Sequence, residues 1–174
     1  KIENITACVF DAYGTLFDVN SAAAKCKKKL GNRWENFANA WRTTQLEYTW
    51  LRSLMKKHKN FWEITEDSLD HTMETFKIKK EMKNELLNLY KELSLYPEVK
   101  ECLNILKTKK IKIAILSNGT PDLLKSLVES NNIQDCFDDI MSIESVGIYK
   151  PNAKVYGKMR RVPKPTRWNQ RPRG

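Results

Sequence analysis

The 174-residue sequence has no apolar run long enough to cross a bilayer. Its first residues also do not have the basic head, long apolar stretch and small-residue cleavage site of a signal peptide. Its four cysteines, Cys8, Cys26, Cys102 and Cys136, lie far apart and form no CxxC pair, so we expect free thiols in a reducing compartment. These absences predict a cytoplasmic protein that has no membrane partner.

Acidic residues are lacking at one end of the chain, and this accounts for most of the net charge of +10. Residues 157–174 contain seven basic side chains and no acidic one, which leaves 24 basic and 21 acidic side chains in residues 1–156. The segment also contains three prolines, no periodic apolar pattern and no nucleic-acid-binding motif. We interpret 157–174 as a disordered tail unrelated to the preceding residues, with no nucleic-acid partner. The alternative is a tail that binds polyanions through phosphate contacts.

Three short apolar runs indicate buried strands. They are Ala7–Phe10, which ends at Asp11, then Ile111–Leu116, and a weaker run at Ile140–Ile143. Between the second and third runs, Pro121–Asn131 has apolar residues at helical spacing. A strand, a helix and a strand at this spacing favour a right-handed crossover, so the sequence predicts an α/β fold with a doubly wound parallel sheet.

The stretch from about residue 21 to residue 95 differs, because it has no proline and only one glycine, Gly31. Its apolar residues recur at intervals of three and four, which predicts three or four helices. Pro97 marks the return to the α/β pattern. We therefore predict a helical insertion at 18–96 that divides an α/β core formed by 1–17 and 97–156. The insertion shows its periodicity at Trp34, Phe37, Ala38, Trp41, Leu46, Trp50, Leu51 and Leu54, and again around Leu86–Leu93.

A carboxylate follows the first predicted strand. Asp11 lies where doubly wound sheets bind ligands, and Gly14 lets the following loop turn tightly. Thr15 offers a hydroxyl that could hold one oxygen of Asp11 and leave the other free to attack. The alternative is an Asp that only caps the loop, which is common after a strand.

Two further polar groups follow the neighbouring strands. Ser117 and Asn118 are small donors suited to an anionic group, although Ser-Asn-Gly is also strong turn chemistry by itself. Lys150 precedes Pro151, and its ammonium beside Asp11 would favour the ionised carboxylate. Taken singly, each residue has an ordinary structural explanation, and their order is what indicates a shared site.

That order resembles the arrangement of the haloacid dehalogenase superfamily. The chain is most similar to one branch, the type II, (S)-specific 2-haloacid dehalogenases, from about residue 4 to residue 156. The stretches that carry the resemblance are Phe10–Val19, Trp41–Met55, Ile115–Gly119, Tyr149–Pro151 and Val155–Tyr156. The resemblance implies hydrolytic removal of halide from small (S)-2-haloacids to give (R)-2-hydroxyacids, with no cofactor and no metal. It further implies that the partners are the haloacid, the halide and water, and that the chain could form a homodimer.

The resemblance also implies roles for individual residues. Asp11 would be the nucleophile, with Lys150 keeping it charged, Thr15 orienting it and Tyr156 supporting the site from behind. The departing halide would be received by Arg42 and Asn118, and the substrate carboxylate by Ser117. An apolar pocket would be formed by Tyr13, Leu46 and Phe61. A structural salt bridge is the alternative for Arg42, and ordinary packing is the alternative for Phe61.

Tyr13 is the most informative position. Phosphatases of this superfamily have a second Asp there, which acts as an acid for the leaving alcohol beside a magnesium ion. A halide leaves without a proton, and a carbon electrophile carries no phosphate charge for a metal to shield. Tyr13 therefore favours dehalogenation over phosphoryl transfer.

The sequence departs from the family pattern after Tyr156, because nothing there matches the Ser-Ser-Asn…Asp segment at the end of the family's fourth strand. We expect a truncated or frame-altered chain with an incomplete sheet. Such a chain would be less stable, prone to association through an exposed strand edge, and able to form the ester without clearing it. A phosphatase-like hydrolase and an inactive fragment with a polyanion-binding tail stay as alternatives.

Overall fold

The structure, a computed structural model, describes residues 5–159, and within them it contains three strands and eight α-helices. The strands are β1 (Ala7–Phe10), β2 (Lys112–Ser117) and β3 (Asp139–Ser142). The helices are α1 (Ser21–Lys25), α2 (Lys27–Leu30), α3 (Trp34–Met55), α4 (Phe61–Phe76), α5 (Lys83–Tyr90), α6 (Val99–Thr108), α7 (Pro121–Ser130) and α8 (Ala153–Met159).

The three strands form one parallel sheet in the order β1-β2-β3, which confirms the predicted α/β class. Cys8 pairs with Ile113, and Ile115 pairs with Ile140. The central strand β2 lies between two neighbouring strands and under α6, and its middle residues, Ile113 to Leu116, are apolar, with Ile113 and Ile115 buried. Parallel strands end at the same edge, so the residues that follow β1 and β2 are brought side by side.

The helical segment between β1 and α6 contains five α-helices, so the prediction of three or four was too low. The two additional helices, α1 and α2, are only five and four residues long. Apolar periodicity does not reveal helices this short, and α2 begins with three consecutive lysines. The long helices α3 and α4 pack against each other, and α4 starts with a capping box between Asn60 and Glu63.

The chain enters and leaves the helical segment along two adjacent paths. The Asp18 N–H donates to the Ser94 carbonyl at 2.8 Å, and the Tyr96 N–H donates to the Leu16 carbonyl at 3.1 Å. These hydrogen bonds tie the two connections together, as an insertion requires. The boundaries at 17/18 and 96/97 stay a prediction.

The predicted tail begins inside a helix. The helix α8 runs to Met159, so the boundary after residue 156 falls within it rather than at its end. Val155 is buried in the core and holds α8 against it. The remainder of the predicted tail, residues 160–174, lies outside the described residues.

Neither a membrane-spanning helix nor a disulfide bond occurs within residues 5–159. No helix within residues 5–159 is both long enough and apolar enough to span a membrane. All four cysteines are free thiols.

Candidate active site

An ion pair joins the ends of two loops at the carboxyl edge of the sheet. The Lys150 ammonium donates to Asp11 Oδ1 at 2.7 Å and to the Leu116 carbonyl at 3.0 Å. The Lys150 side chain is 18% exposed and the Asp11 side chain is 40% exposed, so solvent reaches Asp11 more than Lys150. Asp11 Oδ2 has no hydrogen-bond partner among residues 5–159. One carboxylate oxygen is therefore fixed, while the other has no partner within these residues.

The loop after β2 is fixed on both sides of this pair. Ser117 is fully buried, and its hydroxyl oxygen accepts the Gly119 N–H at 3.1 Å. Asn118 Oδ1 accepts the backbone N–H of Lys150 at 3.1 Å, and the Gly119 carbonyl accepts from the Ser142 hydroxyl at 2.6 Å. These contacts bring Ser117 and Asn118 close to Lys150. Asn118 also contributes to placing the lysine.

Arg42 reaches from α3 across the loop that follows β1. Its Nη2 donates to the Tyr13 carbonyl at 3.1 Å, and its Nη1 donates to Gln45 Oε1 at 2.9 Å. Both acceptors are neutral. None of the ion pairs in the described part of the chain includes Arg42, so the salt-bridge alternative for this residue is wrong. Arg42 thus supplies a positive charge that has no carboxylate partner among residues 5–159.

Aromatic rings line the side of the site that faces the helices. The Tyr13 ring centroid lies 4.9 Å from that of Phe61 and 5.7 Å from that of Tyr90. The Tyr13 hydroxyl is buried and has no hydrogen-bond partner within the described residues. Burial raises the pKa of Tyr13 well above its usual range, and the neighbouring Tyr90 adds to this effect. The Tyr13 ring is therefore a neutral wall with a free hydroxyl group.

Three predicted site residues are exposed or only half-buried. The exposed Thr15 makes no hydrogen bond to Asp11 within residues 5–159, and its N–H donates to the Ala12 carbonyl at 3.3 Å. The expectation that Thr15 holds an oxygen of Asp11 is therefore not met. Tyr156 is 45% exposed, since the neighbouring Val155 takes the buried face of α8. Leu46 is half-buried and lies outside the core cluster that contains Tyr13 and Phe61.

Two residues that the sequence analysis did not single out, Gln45 and Glu144, form hydrogen bonds with residues of the site. Gln45 is buried behind Arg42, and the only signal for it was a polar residue four positions after Trp41 on an apolar helix face. Glu144 accepts the backbone N–H of Phe61 at 3.1 Å. No local pattern marks Glu144, because its partner is 83 positions away in the sequence.

The arrangement suits attack by a carboxylate on carbon with loss of an anion. Within residues 5–159, Asp11 has an oxygen without a hydrogen-bond partner, Arg42 has no anionic partner, and Tyr13 and Phe61 form an aromatic wall. Residues 5–159 contain no group of three or more His, Cys, Asp or Glu side chains that could hold a metal ion.

Known proteins are similar to this chain in sequence and in fold. Residues 5–162 match the family model of the haloacid dehalogenase-like hydrolases. The chain is 41% identical over 157 residues to (S)-2-haloacid dehalogenase 1 of Pseudomonas sp. (strain CBS-3), a match that covers 89% of this chain and 69% of that protein. It is 38% identical over 157 residues to (S)-2-haloacid dehalogenase 4A of Burkholderia cepacia, a match that covers 89% of this chain and 68% of that protein.

A solved structure agrees with these matches. The L-2-haloacid dehalogenase from Xanthobacter autotrophicus, solved with chloropropionic acid covalently bound, superposes with a TM-score of 0.83 and 37% identity. The superposition covers 91% of this chain and 65% of that one, so this chain spans about two thirds of the length of these relatives. The family model, the sequence identities and the shared fold agree, and this chain belongs to the haloacid dehalogenase-like hydrolase family.

Proposed function

We propose that this protein hydrolyses the carbon–halogen bond of small (S)-2-haloacids, with Asp11 as the nucleophile. One observation carries the proposal. Lys150 holds one oxygen of Asp11 at 2.7 Å, and the other oxygen has no partner in the described residues. The relatives (S)-2-haloacid dehalogenase 1 and (S)-2-haloacid dehalogenase 4A share 41% and 38% of the aligned residues with this chain, which supports the same substrate class.

The first step is a displacement at carbon. Asp11 Oδ2 forms a bond to C2 of the haloacid from the side opposite the halogen, and the carbon–halogen bond breaks with its electron pair going to the halide. The product of this step is an ester between Asp11 and the acid, with inverted configuration at C2. The chloropropionic acid bound covalently in the Xanthobacter autotrophicus protein supports a covalent species of this kind.

The second step is hydrolysis of that ester. Water adds to the ester carbonyl of Asp11, the bond to Oδ2 breaks, and the (R)-2-hydroxyacid leaves with a proton lost to solvent. The Asp11 carboxylate is restored, and Lys150 is again its partner. The Lys150 ammonium favours this step, because its positive charge attracts the carboxylate that forms and the ester that precedes it carries no charge at Asp11.

Two groups of residues would recognise the substrate. Arg42 and Asn118 would receive the halide, since the guanidinium has no anionic partner within residues 5–159. Ser117 and the backbone N–H groups of the loop after β1 would hold the carboxylate. Tyr13, Phe61 and the half-buried Leu46 would contact the carbon chain, while the exposed Thr15 and Tyr156 would support Asp11 and its surroundings.

A phosphatase-like activity is the competing function within the family. Phosphoryl transfer to Asp11 would need an acid for the leaving alcohol two positions after the nucleophile. Tyr13 occupies that position, and its buried ring packs on Phe61 at 4.9 Å. Burial raises the pKa of Tyr13, which makes this hydroxyl a poor proton donor at neutral pH. Dehalogenation needs no such donor, so it is the function that we favour.

The test compares wild-type protein with Asp11→Asn, using (S)-2-chloropropionate and its (R) enantiomer. We expect the wild type to release chloride from the (S) acid and to gain the mass of one propionate ester when it is denatured during the reaction. Asp11→Asn should show neither signal. Equal chloride release by Asp11→Asn, or release of phosphate from an aryl phosphate at a comparable rate, would refute the proposal.

The assembly and location of the protein are separate parts of the proposal. A homodimer is supported by four exposed apolar side chains near the end of α3, Trp50, Leu51, Leu54 and Met55, which a second copy would remove from water. Light scattering of wild type and Leu54→Lys would test it, because only the wild type should have twice the chain mass. A cytoplasmic location would be tested by cell fractionation.

A further inference from the structure

The guanidinium of Arg42 is held by neutral groups in a fixed direction. Its Nη1 donates to Gln45 Oε1 at 2.9 Å and its Nη2 to the Tyr13 carbonyl at 3.1 Å. Two hydrogen bonds from different nitrogens fix the plane of the guanidinium. Because neither acceptor carries a charge, the positive charge of Arg42 is positioned without being neutralised.

The orientation of the Gln45 amide follows from its buried partners. The Thr65 hydroxyl donates to the Phe61 carbonyl at 2.7 Å, so the Thr65 oxygen can only accept from its other neighbour. That neighbour is Gln45 Nε2, at 2.7 Å. The NH₂ group of the amide therefore faces Thr65, and Oε1 is left to face Arg42.

The same amide is enclosed by a second hydroxyl. The Tyr90 oxygen lies 3.0 Å from Gln45 Nε2 and 3.2 Å from Oε1. Gln45 is 1% exposed, Thr65 is fully buried, and Tyr90 is 2% exposed, so water cannot substitute for any of these contacts. A buried polar network whose members are all satisfied is rigid, and it fixes a single arrangement of its side chains.

We propose that Gln45 is a positioning residue that aims Arg42 at the leaving halide and keeps its charge available. A carboxylate at the same position would form an ion pair with Arg42 and weaken its attraction for an anion. An apolar residue of similar volume would leave the guanidinium free to turn. The neutral amide avoids both outcomes. This inference rests on the proposed function, in which Arg42 receives the halide.

The experiment measures bromide binding, which does not require turnover. The wild type, Gln45→Glu and Gln45→Met are titrated with sodium bromide at constant ionic strength, and the melting temperature reports binding. We expect Gln45→Glu to weaken bromide binding at least about tenfold and Gln45→Met to weaken it roughly threefold to tenfold. The matched control is Gln134→Glu, which adds the same charge at an exposed position outside the site and should bind bromide as the wild type does.

A second pair of variants covers the case in which changes at the buried Gln45 prevent folding. Thr65→Val keeps the shape of the side chain but removes the oxygen that orients the amide, whereas Thr65→Ser keeps that oxygen. We expect Thr65→Val to weaken bromide binding and Thr65→Ser to resemble the wild type, with both folded by near-ultraviolet circular dichroism. Thr65 has no hydrogen bond to Arg42 within the described residues. Weaker bromide binding by Thr65→Val would therefore result from a change in the orientation of Gln45.

The inference and the proposed function fail in different ways. If the wild type forms the ester but folded Gln45→Glu and Thr65→Val bind bromide as tightly as it does, the role of Gln45 is refuted. Absence of any bromide binding by the wild type would refute it equally. If bromide binding falls in these variants while the wild type forms no ester, the role of Gln45 stands and Asp11 is not the nucleophile.

Discussion

The carboxylate of Glu144 accepts a hydrogen bond from the backbone N–H of Phe61, at 3.1 Å, and its other oxygen lies 3.0 Å from His58 Nε2. Glu144 follows β3, whereas Phe61 is the first residue of α4. The carboxylate therefore sits at the positive end of a helix dipole and fixes the start of α4. Phe61 packs on Tyr13, so this contact positions one wall of the proposed substrate pocket.

Glu144→Gln should destabilise the protein, because it removes the negative charge that lies against the first N–H group of α4. We expect the free energy of unfolding to fall by about 1–2 kcal/mol in urea titrations at pH 7. The matched control is Glu129→Gln, which removes a carboxylate from the exposed pair with Lys125 and should change stability by less than about 0.5 kcal/mol. Equal losses in the two variants would contradict this role for Glu144.

Gly119→Ala should disrupt the site through a steric clash. An added Cβ would lie 2.8 Å from Tyr13 Cε2 and 3.1 Å from Leu124 Cδ2, so the Tyr13 ring must move. We expect a loss of about 1–3 kcal/mol in unfolding free energy, together with slower ester formation. Gly157→Ala is the control, because its Cβ meets nothing within 4 Å inside α8. That variant should be more stable by roughly 0.5–1 kcal/mol, and the same sign of change in both variants would argue against the clash.

The stability of the protein should decline above about pH 10. Burial raises the pKa values of Tyr13, Tyr90 and Tyr149 in the folded state. The unfolded chain, with ordinary tyrosine pKa values, loses these protons first. Raising the pH therefore favours unfolding, and the stabilisation is fully present only below the unfolded pKa.

Urea titrations between pH 8 and pH 11 would measure this decline. Tyr13→Phe should make the slope shallower by up to about 1.4 kcal/mol per pH unit above pH 10. It should cost little at pH 7, since the Tyr13 hydroxyl has no partner within the described residues. Tyr149→Phe should reduce the slope too, but cost about 0.5–1.5 kcal/mol at pH 7 by losing its 2.6 Å hydrogen bond to the Lys59 carbonyl. An unchanged slope in both variants would rule out this explanation.

Lys150→Met should slow formation of the Asp11 ester by on the order of 10²-fold, because it removes the cation that holds one carboxylate oxygen. Rapid quenching followed by intact-mass measurement would give the rate. Lys112→Met is the control, since it removes an exposed lysine that pairs with Asp138 at the opposite end of β2. If both variants form the ester at the wild-type rate, Lys150 has no part in activating Asp11.

Local patterns predicted the elements that carry the chemistry. The apolar run before Asp11 is β1, the run before Ser117 is β2, and both belong to one parallel sheet. The carboxyl ends of parallel strands share an edge, so the proximity of Asp11, Ser117 and Lys150 could be expected before any coordinates. Short helices without apolar spacing, such as α1 and α2, could not be counted in this way.

The apolar pattern of α3 did not predict which of its residues are buried. Leu51 and Leu54 belong to its apolar periodicity, yet both are exposed, whereas the polar Gln45 and Thr49 are buried. A periodic pattern identifies a helix and its approximate faces. It does not show which polar groups on other elements can form hydrogen bonds with a buried amide. For Gln45 these groups are the hydroxyls of Thr65 and Tyr90.

The sequence by itself determined the fold class, the family and the residues at the strand ends, because these depend on short apolar runs and on motifs of neighbouring residues. Tertiary structure alone decided that Thr15 and Tyr156 face solvent, that Arg42 has only neutral acceptors among residues 5–159, and that Glu144 caps α4. These features are contacts between residues far apart in the chain, or the direction in which a loop turns. Such features depend on packing and on the competition for hydrogen-bond partners, which no local segment encodes.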